Sequence, residues 1–206
     1  MNFTTEQEEF WAGKFGSDYI ERNKGKKLLA SNLNFFVKAL NQAYHLDSCI
    51  EFGANIGMNL KALNLLFPQL YIEGVEINKD ACEQLKDVVG SGKVHHNSIF
   101  DFKPSKLFDL SLIKGVLIHI NPDKLKSVYE KLYKSSKKYI LIAEYYNPTP
   151  VTIFYRGHED RLFKRDFAGE FLEIYNDVRI VDCGFAYHRD PTFPQDDITW
   201  FLLEKE

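Results

Sequence analysis

The chain has 206 residues, 45% of them hydrophobic, enough for one sizeable core, and its 26 basic and 29 acidic side chains leave a formal charge of -3. That balance excludes a global basic face for nucleic acid or an anionic membrane, and cysteines at 49, 82 and 183 have neither zinc-site spacing nor the even count of a disulfide framework. The acidic start MNFTTEQEEFWAG lacks the basic-then-apolar order of a signal peptide, and no run approaches the ~18 apolar residues of a membrane span, so a cytoplasmic protein without a metal is expected.

In chain order, Leu29, Leu33, Phe36, Val37, Leu40 and Tyr44 recur at helical spacing and predict an amphipathic helix over 28–44. SCIEF (48–52) reads as a short buried strand and GANIG (53–57) as a turn. Leu60, Leu63, Leu66 and Phe67 then mark a helix that stops before Pro68. LYIEGVEI (70–77) is a second strand, DACEQLKDVV (80–89) a helix ended by Gly90, KVHHNSI (93–99) a third strand and FDLSLIKGVLI (108–118) a fourth. Asn121 and Pro122 open a helix carrying Leu125, Val128, Tyr129 and Leu132, and KYILIAEYY (138–146) is a fifth strand. Beyond residue 147 the reading is a loop with Pro148 and Pro150, then a helix carrying Phe163, Phe167, Phe171 and Ile174. VRIVDCGFAY (178–187) and DITWFLLEKE (197–206) follow with no helical pattern between them, as an antiparallel edge pair.

Strands alternating with helices imply right-handed βαβ units and a mostly parallel sheet covered on both faces, an α/β fold with seven strands in all. A single domain over 1–206 is expected: a helical cap at 1–45, a cofactor-binding core at 46–147, and an acceptor segment with edge strands at 148–206.

In an open parallel sheet, ligands bind beyond the carboxyl ends of the strands, where the first strand-to-helix turn lies. Gly53 and Gly57 permit a tight reversal there, and Asn55, which tolerates left-handed angles, stands where a middle glycine is usual. Glu76 ends the second strand 19 residues after Gly57, placed to accept both hydroxyls of a ribose. That spacing suits NAD as well as S-adenosylmethionine. Glu51 favours the latter, because a pyrophosphate would be repelled by a carboxylate at this turn, whereas an ammonium and a sulfonium would be attracted.

These stretches resemble the class I S-adenosylmethionine-dependent methyltransferases, whose fold is Rossmann-like. EFGANIG is similar to their first motif, with Asn55 as a departure, and GVEIN to their second. HNSIFDF is similar to the segment whose polar residue and next backbone amide hold adenine, and FDLSLIKGVLIHINP to the segment after the fourth strand. The resemblance covers roughly residues 28–147. It implies S-adenosyl-L-methionine as cofactor, held by Glu51, Gly53, Asn55, Gly57, Glu76, Ile77, Asn97, Ser98, Ile99 and Lys114. Two further stretches, TEQEEFWAGKFGSDYIERN and EYYNPTPVTIFYRGHEDRLFKRDFAGEF, resemble the pseudaminic acid biosynthesis-associated methylases. They imply a small acidic, phosphate-bearing or nucleotide-linked sugar of nonulosonic acid biosynthesis as acceptor.

Methyl transfer needs alignment above all, and an oxygen or protonated nitrogen acceptor also needs a base. His119, Glu144, Tyr145 and His158 are the catalytic candidates, with Tyr146, Tyr155, Arg156, Arg161 and Arg165 as candidates for binding the acceptor. Arg156 and His158 are expected to face the site, with Lys164 and Arg165 starting the helix behind them. The stretch FWAGKFGSDYIERN is the other candidate lid. Two alternatives stay open, a small-molecule N- or O-methyltransferase outside sugar metabolism and a cofactor-binding module without turnover.

Overall fold

The computed structural model describes residues 3–206. Five strands, β1 (Ser48–Phe52), β2 (Tyr71–Glu76), β3 (Val94–His96), β4 (Phe108–Lys114) and β5 (Ser136–Glu144), run parallel. A hairpin of β6 (Val151–Tyr155) and β7 (His158–Lys164) forms its own small sheet. β8 (Val178–Ala186) and β9 (Ile198–Lys205) complete the main sheet, whose order is β3-β2-β1-β4-β5-β9-β8, with β9 antiparallel to both neighbours. The expected mostly parallel seven-stranded α/β sheet with an antiparallel edge pair is the observed one.

Successive residues of a strand point to opposite faces, and here each face has its own apolar core. Along β1, Cys49 points toward α3 (Lys26–Ala39), α4 (Met58–Leu66) and α5 (Lys79–Val89), while Ile50 and Phe52 point toward α6 (Leu125–Ser135) and α7 (Phe167–Ile174). β5 repeats the pattern, with Leu141 and Ala143 on the first face and Ile140 and Ile142 on the second. Each fully buried Leu, Ile or Phe contributes about 1.5–3 kcal/mol, so these layers hold the strand ends in register beneath the site. Strand order reverses between β1 and β4, which opens a crevice at their carboxyl ends. Two short helices, α1 (Glu6–Ala12) and α2 (Lys14–Tyr19), precede α3. No helix among the described residues is long and apolar enough to cross a membrane.

The structure corrects four boundaries. α3 stops at Ala39 with Leu40 outside helical angles, so Tyr44 lies beyond it, and the buried stripe runs through Phe35 and Phe36 while Val37 is exposed. The third strand is only Val94–His96. β4 ends at Lys114, because Gly115 turns at φ +68° and Leu117–His119 form a 3-10 turn. The largest correction is at 151–164, a hairpin where a loop and helix were expected. Arg156 and Gly157, at φ +51° and +88°, are the two central residues of a tight turn between paired Tyr155 and His158, angles that match the twist of the flanking strands. Phe163 therefore sits on β7, Lys164 ends that strand, and the helix begins only at Phe167, capped by the Asp166 side chain accepting from Gly169 N–H at 2.8 Å.

Candidate functional site

The β1–α4 turn is closed on itself. Gly53 N–H and Ala54 N–H donate to the Val75 carbonyl at 2.9 and 3.1 Å, and Gly57 N–H donates to the Ala54 carbonyl at 2.9 Å. Asn55 N–H donates to Glu76 Oε2 and Ile56 N–H to Asn55 Oδ1, both at 2.7 Å. All five amides from 53 to 57 are thereby used within the chain. Asn55 adopts the left-handed angle, φ +48°, that lets its side chain do this. Gly53, at φ +74°, has no room for a side chain, since a Cβ there would stand 2.5 Å from Val116 Cγ2.

Glu76 closes the other side of the turn. It is 8% exposed, and its Oε1 accepts from Asn78 N–H at 2.7 Å. Burial pushes its pKa up, against the opposing pull of the Asn78, Asn55 and Ile77 amides. Each oxygen still has a lone pair, and the residue forms part of a cavity wall that continues through Ile77, Ile99 and Phe100 on one side. On the other side the wall passes Gly53, Asn55 and Asn59 to Lys114, His119, Tyr145 and Asp196.

Glu51 lies one layer below that wall. Fully buried, it accepts from Asn59 Nδ2 at 2.6 Å, and its second oxygen has no partner. Burial raises its pKa to about 8, moderated by Asn59 and by Lys114. A folded pKa above the ordinary 4.5 means that the stabilising contribution is complete below about pH 4.5 and is lost as pH rises through about 8. Glu51→Gln is therefore expected to gain stability relative to the wild type between pH 5 and 9, by roughly 2–4 kcal/mol, read from denaturant titrations at each pH. A constant difference would show that Glu51 is ionised throughout. Lys114, partly buried, has its pKa lowered by burial, with Glu51, Asp196 and Glu144 opposing, yet it forms no ion pair among the described residues.

The amino-terminal helices cover the cavity. Thr5 Oγ1 accepts from Glu8 N–H at 3.2 Å, and Glu8 Oε2 accepts from Thr4 and Thr5 N–H at 2.6 and 3.3 Å, a capping box that starts α1. Asn78 Nδ2 donates to the Trp11, Ala12 and Gly13 carbonyls at 3.2–3.3 Å while Asn78 Oδ1 caps α5 through Ala81 N–H. The hairpin holds the same element from the other end: Gln7 Nε2 donates to the Asp160 carbonyl at 3.0 Å, and Arg161 pairs with Glu6 at 3.2 Å. Trp11, Tyr19 and Tyr155 put their rings into the cavity from this cover.

His119 sits between Trp11 and Tyr155, ring centroids 4.6 and 5.3 Å away. Its Nδ1 lies 2.7 Å from the Arg161 carbonyl, which can only accept, so Nδ1 carries the proton and Nε2 presents a lone pair. Burial pushes the pKa down to about 4, with the carbonyl contact opposing, and the imidazole is neutral at ordinary pH.

Of the residues singled out from the sequence, Gly53, Asn55, Glu76, Ile77, Ile99, Lys114, His119, Tyr145 and Tyr155 come together around this cavity. The others do not reach its wall. Gly57 lies behind the turn, and the Asn97 amide is spent on the Glu76 carbonyl. The Ser98 hydroxyl donates to Glu8 Oε1. Buried Glu144 accepts from Val116 and Leu117 N–H, both at 2.9 Å, so it fixes the loop that carries His119; burial raises its pKa to about 7. Tyr146 is exposed, and Arg156 and His158 stand at the solvent-facing hairpin tip. Arg161 lends its backbone carbonyl to His119 and its side chain to Glu6, and Arg165 pairs with Glu170 at 2.5 Å. Glu8, Asn59, Asn78 and Asp196 were not singled out. The T-x-x-E capping signature at Thr5–Glu8 was the one local sign of the first, and nothing in residue spacing announces the contact between Glu8 and Ser98.

No protein-family model matches the chain, and no curated protein matches it. Solved structures do. The 1,6-didemethyltoxoflavin-N1-methyltransferase of Burkholderia thailandensis, with 1,6-didemethyltoxoflavin and S-adenosylhomocysteine bound, matches at TM-score 0.72 and 15% identity over 100% of this chain and 92% of that one. The magnesium protoporphyrin IX methyltransferase of Synechocystis PCC 6803, with S-adenosylmethionine bound, gives 0.69 and 12% over 100% of both. The mitomycin 7-O-methyltransferase gives 0.67 and 13% over 98% of this chain, which spans 61% of that longer one. At these identities the likeness shows a shared fold, that of the class I methyltransferases.

Proposed function

We propose that the chain transfers a methyl group from S-adenosylmethionine to a small-molecule acceptor. The observation that carries this is the turn at 53–57. A pyrophosphate seated in a glycine-rich turn needs amides of the turn itself as well as those of the helix start, and here all five turn amides are spent internally beside a buried carboxylate. A cofactor without phosphate, with a ribose diol and a cationic methionine end, fits that arrangement. Glu76 would hold the diol, Ile77 and Ile99 the faces of a base, and Asn59, bonded to the buried carboxyl of Glu51, the ammonium end. When bound, the cofactor supplies an electrophilic sulfonium methyl. The chain's own residues would orient the acceptor and keep water out beneath Trp11, Tyr19 and Tyr155, and His119, whose Nε2 carries a lone pair, would take the acceptor's proton. In this reading residues 46–147 hold the cofactor and both ends of the chain enclose the acceptor. Calorimetry with S-adenosylhomocysteine and NAD tests the cofactor: tighter binding of NAD would overturn it.

For the acceptor, we propose a small sugar-like acid of the pseudaminic or nonulosonic acid type, handled in the cytoplasm. Two observations favour it: the resemblance of residues 5–23 and 144–171, and Lys114, the single Lys or Arg among the described residues of the cavity wall. One cation matches one carboxylate or phosphate. Formation of S-adenosylhomocysteine with a panel of nonulosonic acids, nucleotide sugars and amines separates this from a methyltransferase outside sugar metabolism, and no turnover with any of them favours a binding module. Because Arg156 is at the exposed hairpin tip, Arg156→Ala is expected to leave transfer within about threefold of wild type, as for surface positions generally. A loss of a hundredfold on an acidic acceptor would mean that the hairpin tip folds inward during catalysis.

A further inference from the structure

We infer that Glu8, from the amino-terminal helix, reads the exocyclic amino group of the bound cofactor's purine and so ties purine recognition to closure of the cover; this rests on the S-adenosylmethionine reading above. Glu8 is 7% exposed and lines the same cavity as Glu76, Ile77, Ile99 and Phe100, and its Oε1 meets the hydroxyl of Ser98, the residue before Ile99 and Phe100. Two apolar faces and an aromatic ring there suit a flat base, which needs a polar partner only at its edge.

The polar group expected for that edge is already committed. The Ser98 hydroxyl gives its one proton to Glu8 Oε1 and accepts from Phe100 N–H at 3.0 Å, and it does not reach the wall. Glu8 does reach it. Its Oε2 is fixed by the amides of Thr4 and Thr5, whereas Oε1 has accepted one hydrogen bond and has a lone pair left. An ionised carboxylate only accepts, so an amino group at this edge is paired. A carbonyl in the same place would set acceptor against acceptor, and discrimination then comes from the unpaired wrong ligand as much as from the paired right one. Because Glu8 belongs to α1, a paired purine holds that helix down over the cavity.

The test compares S-adenosylhomocysteine with S-inosylhomocysteine, in which the 6-amino group is replaced by a carbonyl, by calorimetry on the full chain. Wild type is expected to prefer the amino form by about 10- to 100-fold. Glu8→Gln keeps a capping box, since glutamine serves there too, and with its oxygen on the Thr5 amide it turns an N–H toward the purine edge. Its preference is expected to fall within about threefold of unity or to invert. Ser98→Ala is expected to retain the wild-type preference. Hydrogen exchange gives a measurement free of mutation: amides 4–12 should slow with S-adenosylhomocysteine and not with the inosyl form at equal saturation. Retained preference in Glu8→Gln, lost preference in Ser98→Ala, or equal protection by the two ligands overturns the inference while leaving the cofactor reading intact. Failure of wild type to bind S-adenosylhomocysteine overturns both.

Discussion

Glu76→Ala is expected to bind S-adenosylhomocysteine about 10- to 100-fold more weakly than wild type, the loss that follows removal of a buried charged acceptor from a hydrogen-bonded diol. Two causes combine. The acceptor for the diol disappears, and the amides of Asn55 and Asn78, which now donate to the carboxylate at 2.7 Å, lose their partner. The second cause also lowers stability by about 1–3 kcal/mol, visible in thermal melts without ligand. Glu76→Gln separates the causes, because one oxygen still serves one amide: it should recover part of the stability and little of the affinity. Wild-type affinity in Glu76→Ala, measured by calorimetry, would place the diol elsewhere.

His119→Asn is expected to lower transfer by ~10²–10⁴ while S-adenosylhomocysteine affinity stays within about threefold, the signature of a lost general base. Asparagine can still donate to the Arg161 carbonyl, so the loop should keep its place. The wild-type rate against pH carries the same information. With the imidazole pKa near 4, the base form persists at every pH above that value, and the acid limb should lie below pH 5, away from the 6.5 of an ordinary histidine. Full activity of the asparagine variant, or an acid limb near 6.5, would remove His119 from this role.

The central sheet was legible because its strands are short apolar runs divided by Gly, Asn and Pro, and because Gly53, Gly57 and Glu76 mark where the chain turns toward a ligand. The hairpin was not. Phe163, Phe167 and Phe171 happen to recur at helical spacing, yet Phe163 belongs to a strand whose alternation is interrupted by the charges of HEDR, so period alone misled. The basic side chains of that hairpin looked like an acceptor site by concentration, but which way each points depends on a two-residue turn set by positive φ at Arg156. The cover shows a different limit. Glu8 meets Ser98 across 90 positions and Gln7 meets Asp160 across 153, and pairing at such separations is decided by tertiary packing, which no local pattern records.

The span from Thr5 to Tyr19 is fastened to Asn78 and Ser98 on one side of the crevice and to Asp160 and Arg161 on the other. In the proposed function both products lie beneath this span, so their departure is expected to wait on one and the same event. The two products are expected to inhibit together, each prolonging the residence of the other, and the steady-state rate then measures unfastening more than chemistry. Salt, by screening the pair that exposed Glu6 makes with half-buried Arg161, should quicken that release and raise turnover at saturating substrate.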